Sequence, residues 1–191
     1  MTNETHEDKT FSKLNLPAGL IDDCEFDNCI FDNCDLSDCV IKSGSFTDCT
    51  FKNCSMKLVK FKGTSLRKAK FVTCRLNGIN FSECNDAMFS VSFSECDLSF
   101  ASFDRKKMKK TVFNECLLKD ALFSETDLTE STFNNCDFSR ASFNKVNLTG
   151  ADFTTAYNYS MDPDNNRIKN ARFMTPGVFG LLDKYGIKIE G

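Results

Sequence analysis

A five-residue spacing of apolar side chains runs through most of this 191-residue chain. It begins with Phe11, Leu16, Ile21, Phe26, Phe31, Leu36, Ile41 and Phe46, and continues unbroken to Phe81. The phase then slips by two residues and resumes at Met88, Phe93, Leu98, Phe103 and Met108, running on to Phe153. These centres hold sixteen of the 20 Phe. A period of five matches neither an α-helix, which repeats every 3.6 residues, nor a strand, which repeats every two. The chain is therefore an array of one small unit, and the repeat decides its architecture before any local propensity does.

A second inward position lies two residues before each centre. All 11 Cys fall in it: Cys24, Cys29, Cys34, Cys39, Cys49, Cys54, Cys74 and Cys84 before the slip, then Cys96, Cys116 and Cys136. Elsewhere the slot carries mostly Ala, Gly, Val, Ser or Thr, and the positions between are Asp, Asn, Lys, Ser, Thr and Glu. Each unit thus offers one large and one small side chain to an interior and three polar ones to water.

Runs such as CEFDN-CIFDN-CDLSD and ADFTT resemble the pentapeptide-repeat family, whose unit is A(D/N)LXX. The resemblance covers residues 11–155. It implies an all-β solenoid, a right-handed quadrilateral parallel β-helix in which four pentapeptides make one square coil of twenty residues.

That twenty-residue period has its own signature here. Every fourth centre reads Phe31, Phe51, Phe71, Phe93, Phe113, Phe133, Phe153, all Phe; the next column reads Leu36, Met56, Leu76, Leu98, Leu118, Phe138. The small slot beside that second column is Cys34, Cys54, Cys74, Cys96, Cys116, Cys136. A bare five-residue repeat gives no reason for sorting by four. About seven coils follow, stacked ~4.8 Å apart into a core rod roughly 35 Å long. Each coil touches only its neighbours, so both ends need caps.

Cysteines in a packing slot act as small buried hydrophobes. Stacked side chains project in parallel at ~4.8 Å, wider than the roughly 3.5–4.5 Å of bridged Cβ atoms, and a line of thiols does not converge on a metal. Reduced thiols imply a cytoplasmic location. The polar start, MTNETHEDKT, has no secretory pattern, and no apolar run reaches eighteen residues.

Residues 1–10 read as a disordered tail containing the only His, His6. The slip near 84–88 places Asp86 where a centre belongs and passes that role to Met88, so two residues bulge from one corner. Residues 156–191 read as an irregular last coil, a capping helix and a C-terminal strand over 187–190. Thr175 is the expected N-cap, Pro176 the first helical residue and Gly186 the stop. Val178, Leu181, Leu182 and Tyr185 form its apolar stripe. Val178, Phe179, Leu182 and Tyr185 are the candidate dimer surface, since related pentapeptide-repeat proteins dimerise end to end through such a segment.

Charge is banded. Residues 1–50 hold eleven acids and three bases, a net of −8; residues 51–110 hold thirteen bases and five acids, +8; residues 111–191 hold eleven acids and eight bases, −3. Within the basic band Arg67, Lys68, Lys107, Lys109 and Lys110 are expected on one edge, a candidate anion-binding surface. Lys106 occupies a small-residue slot that no other unit from Leu16 onward fills with a long cation. No nucleotide loop, metal spacing or nucleophile–base pair is present, so no catalytic or cofactor-binding residue is assigned and the chain reads as a non-enzyme.

Within the family, Qnr proteins resemble duplex DNA in size and charge, bind DNA gyrase and topoisomerase IV and protect them from quinolones. The resemblance therefore implies a protein-binding rod and a Qnr-like DNA mimic. The alternative is an interaction scaffold with another partner. Direct nucleic-acid binding is the least supported reading, because the basic residues lack interleaved exposed aromatics.

Overall fold

The computed structural model describes residues 1–188 and 190. Its strands are short, mostly three residues, and every pairing between them is parallel. They stack into a four-sided solenoid. One face is a nine-stranded ladder that runs from Thr10–Ser12 at one end to Arg172–Phe173 at the other. Its inward residues are the Phe column: Phe11 pairs with Phe31, Phe31 with Phe51, and so on to Phe153 with Phe173. Neighbouring rings in the column lie 4.6 to 5.4 Å apart, the rise of one coil. Across the slip Phe71 pairs directly with Phe93. The two extra residues therefore add length to one coil without adding a face.

The core is this stack. Phe31, Phe51, Phe71, Phe113, Phe133 and Phe153 are fully buried, as are Leu36, Met56, Leu76, Leu98 and Leu118. Burying one such side chain contributes on the order of 1.5–3 kcal/mol.

The small slot does more than save space. Cys34 Sγ donates to the Phe11 carbonyl at 3.2 Å, Cys54 to Phe31 at 3.3 Å, Cys74 to Phe51 at 3.4 Å and Cys96 to Phe71 at 3.4 Å. Where the slot is Thr64, Thr126 or Ser131, a hydroxyl makes the equivalent bond to Ile41, Phe103 or Met108. Cys, Ser and Thr recur there because a small donor satisfies a buried carbonyl of the coil below. All eleven Cys are free and buried. Burial pushes the thiols of Cys34 and Cys39 up to about 11 and that of Cys49 to about 12.

Corners form two residues after nearly every centre, where φ is positive: 48° at Asn28, 54° at Asn33, 58° at Asp38, 55° at Asn53. Asn, Asp and Gly tolerate this left-handed conformation best, which accounts for the many D and N in the polar positions.

Three expectations are corrected. Residues 1–10 are not a disordered tail. Met1 and His6 keep the five-residue phase, Thr5–Glu7 pairs with Glu25–Asp27, and the His6 ring stacks on Phe26 at 5.0 Å. A His in a centre position hid this coil, which raises the count to about eight. The cap is wound as two 3₁₀ segments, Thr175–Leu181 and Asp183–Tyr185, rather than an α-helix, with Met174 as N-cap in place of Thr175. Gly177 and Gly180 weaken an α-helix, and both press against Tyr159, so the shorter turn wins. The stop is as expected: Gly186 has φ 58°. The strand expected over 187–190 includes Ile189, which lies outside the described residues, and Ile187, Lys188 and Glu190 are not in a strand.

Candidate functional site: the bulge and the basic belt

The two-residue slip interrupts two adjacent ladders: Lys60–Lys62 is followed in the next coil by a 3₁₀ turn, Phe81–Glu83, and the ladder that ends at Ser65–Arg67 has no strand above it. Asn85 N–H still donates to the Thr64 carbonyl, and Ser90 N–H donates to the Leu66 carbonyl, so the chain leaves the ladder after one and rejoins at the other. Between them the expected centre is corrected. Met88 is 72% exposed with φ 61°, whereas Phe89 is 8% exposed and turns inward, 6.4 Å from the Phe81 ring. Two adjacent apolar residues made the phase ambiguous, and the left-handed turn at Met88 decides which one enters.

The space that a centre at Asp86 would have filled is taken from the next coil. Lys106 is 1% exposed; its Nζ donates to the Cys84 carbonyl and to Asp86 Oδ1, both at 2.6 Å, and lies 5.1 Å from the centre of the Phe89 ring. A buried ammonium is costly unless paired and hydrogen-bonded, and here it has a carboxylate, a carbonyl and an aromatic face. Burial pushes the neighbouring Cys84 thiol up to about 12, against the opposing pull of Lys106. Lys106 is thus the pin of the bulge. The sequence flagged it as an oddity; its partner Asp86 carried the complementary signal, an acid in a centre position.

The expected basic edge flanks this bulge. Ala69 pairs with Val91 and Phe93 with Phe113, so Lys68 and Lys110 lie two coils apart on one face with Ser90 between them. Three of the five cations are matched by acids: Lys68–Asp48 at 3.3 Å, Lys109–Asp127 at 3.5 Å and Lys110–Glu130 at 3.3 Å. Arg67 and Lys107 have no ion pair among the described residues. Thr47, Asp48, Arg67, Lys68, Met88, Phe89 and Ser90 line a groove of about 470 Å³ beside the bulge.

At the C-terminal end the candidate dimer residues separate. Leu181 packs on the core and Leu182 is half-buried. Val178, Phe179 and Tyr185 are 38%, 47% and 59% exposed. Lys184 ties the cap to the last coil through Asp162 at 2.6 Å and through Asp164.

A family model described as a pentapeptide repeat region matches residues 23–90 and 85–153. The chain belongs to the pentapeptide-repeat family. No curated protein matches it in sequence. Among solved structures, full-length QnrB1, a plasmid-mediated fluoroquinolone resistance protein, superposes with a TM-score of 0.61 at 19% identity, covering 93% of this chain and 100% of QnrB1. A trypsin-treated form of QnrB1 gives 0.59 at 18% identity, covering 98% and 99%. HetL, a pentapeptide repeat protein involved in heterocyst differentiation regulation from Nostoc sp. strain PCC 7120, gives 0.35 at 13% identity, covering 92% and 91%. The QnrB1 likeness is one of fold.

Proposed function

We propose that this pentapeptide-repeat protein is a non-enzymatic rod that binds a protein partner through its side walls. The observation that carries this reading is the change of charge sign on every face within one or two coils. Asp22 pairs in register with Lys42 and Lys42 with Lys62 on one face; Asp27 leads through Thr47 to Arg67 on the second. Asp32 pairs with Lys52 on the third, and Asp35 leads through Ser55 to Arg75 on the fourth. Charge is thus arranged in closed belts, an acidic collar followed by a basic one. Such banding suits a partner with complementary bands. It does not suit DNA mimicry, since a duplex is negative along its whole length. Buried free thiols fit a reducing, cytoplasmic setting.

A second reading, binding to a type II topoisomerase, is favoured by the end-to-end correspondence with QnrB1. A gyrase supercoiling and cleavage assay, with and without ciprofloxacin, separates the two. We expect no protection across a protein titration; protection at low micromolar protein would establish the topoisomerase reading instead. Self-association through the exposed cap residues belongs to the same proposal. Phe179→Asp with Tyr185→Glu is expected to convert a dimer into a monomer in light scattering, and an unchanged mass would remove that surface.

A further inference from the structure

Away from the bulge, one corner of the solenoid places large apolar side chains at left-handed positions. Its left-handed positions, one per coil, are Ala18, Asp38, Leu58, Gly78, Phe100, Asp120 and Arg140, connected by backbone hydrogen bonds that carry each coil to the next. Leu58 has φ 55° and is 54% exposed; Phe100 has φ 61° and is 61% exposed. A large apolar side chain is poorly suited to this conformation and recovers only part of the benefit of burial here. Elsewhere Asn, Asp or Gly commonly fills the position. Both residues therefore work against the stability of the folded chain, and strained positions of that kind persist where function requires them.

The residue between the two leaves the corner open. Gly78, between them, has φ 69°, and a Cβ there would fall 2.6 Å from Leu58 Cδ2. The Leu58 side chain lies along the corner over Gly78, toward Phe100, two coils above it. One end of this apolar strip is closed by the ion pair Arg140–Asp120 at 2.6 Å. On either side of Leu58 stand Lys57 and Lys60, both exposed and without an ion pair among the described residues, where Asp22, Asp48, Asp127 and Glu130 neutralise cations elsewhere.

We infer that the Leu58–Gly78–Phe100 corner is a docking strip for an acidic protein segment carrying a bulky apolar anchor. The apolar strip takes the anchor and the unpaired lysines select its acidic flanks. This assignment rests on the reading of the chain as a binding rod and names the partner chemistry of one wall.

Phage display of random peptides on the intact protein tests it. Enriched peptides are expected to place acidic residues on both sides of an aromatic or aliphatic residue, and their binding is expected to weaken with added salt. The Leu58→Asn, Phe100→Asn double variant is expected to lower their affinity by about tenfold or more. Its melting temperature should be unchanged or raised, because Asn is more at ease at positive φ, so the loss cannot be attributed to unfolding. Enriched peptides that bind the variant equally would overturn the strip while leaving the rod reading standing. A change in the protein's own oligomeric mass on substitution would overturn it in favour of a second copy as occupant, and the absence of any enriched peptide would overturn both readings.

Discussion

At the level of single residues the sequence was readable wherever a side chain kept the five-residue phase, and misleading where chemistry replaced it. His6 fills a centre without being aliphatic, and Phe89 displaces its neighbour Met88 because a left-handed turn intervenes. Lys106 is the sharpest case. Its ammonium is buried, yet Asp86, its only ion-pair partner among the described residues, has a side chain that is 78% exposed. The two partners should therefore respond unequally to removal. Lys106→Ala leaves a void, an unmet Cys84 carbonyl and an uncovered Phe89, at an expected cost of about 2–4 kcal/mol. Asp86→Ala leaves the ammonium one carbonyl and an aromatic face with water close by, and the expected cost is smaller, ~1–2 kcal/mol. Denaturant unfolding of the two variants checks the order; equal costs would mean that the ion pair rather than the filled space holds the bulge.

Among the structural elements, the recurrent motif that sequence reading passed over is an acid one position before a centre and a hydroxyl one position after it. Asp35 accepts from both the backbone N–H and the Oγ of Ser37, at 3.0 and 2.7 Å, and these bonds hold its carboxyl below the ordinary aspartate range. Asp97 with Ser99, Asp127 with Thr129 and Asp137 with Ser139 repeat the bracket. In these three burial pushes the carboxyl up, and the hydrogen bonds outweigh it. A carboxylate whose value is depressed on folding stabilises the native state fully above its unfolded value, near 3.9, and loses that contribution as pH falls through the depressed value. The melting temperature is accordingly expected to be flat from about pH 7 to 5 and to drop below about pH 4. Asn147 makes the same two bonds to Thr149, so Asp→Asn at positions 35, 97, 127 and 137 should keep the brackets at neutral pH. If the brackets cause the acid sensitivity, that variant melts with a shallower decline below pH 4; an unchanged decline would assign it to other carboxylates. The alternation was visible in DLS, DLT, DFS and NLT, but three polar positions per unit look alike until a corner gives each a different job.

For the molecule as a whole, the fold was nearly complete in the sequence because a solenoid has only local rules. Sorting of Phe and Cys by twenty specifies which coil lies on which, and the pairing of Phe71 with Phe93 follows once the slip is confined to one corner. The cap and the ends were less legible, since each occurs once and no repetition averages out its irregularities. The same locality governs how the rod should unfold. Each coil is held by its two neighbours, and the Phe column supplies a continuous contact through all of them. Phe93, 1% exposed and stacked at 5.3 and 5.1 Å on Phe71 and Phe113, stands beside the distorted coil. Phe11 stands in the first coil, half-buried, with Phe31 the only neighbour of its own column. Phe93→Ala should cost about 3–5 kcal/mol, and because it removes a link in the middle, the two halves should melt as separate units. Phe11→Ala should cost less and fray only the N-terminal coils, leaving one main transition. Calorimetry with hydrogen exchange resolves both outcomes. A single cooperative transition in Phe93→Ala would show coupling that reaches beyond nearest neighbours, carried through the two faces whose ladders run unbroken past the bulge, that of the Phe column and that of the bridges from Asn15 to Tyr157.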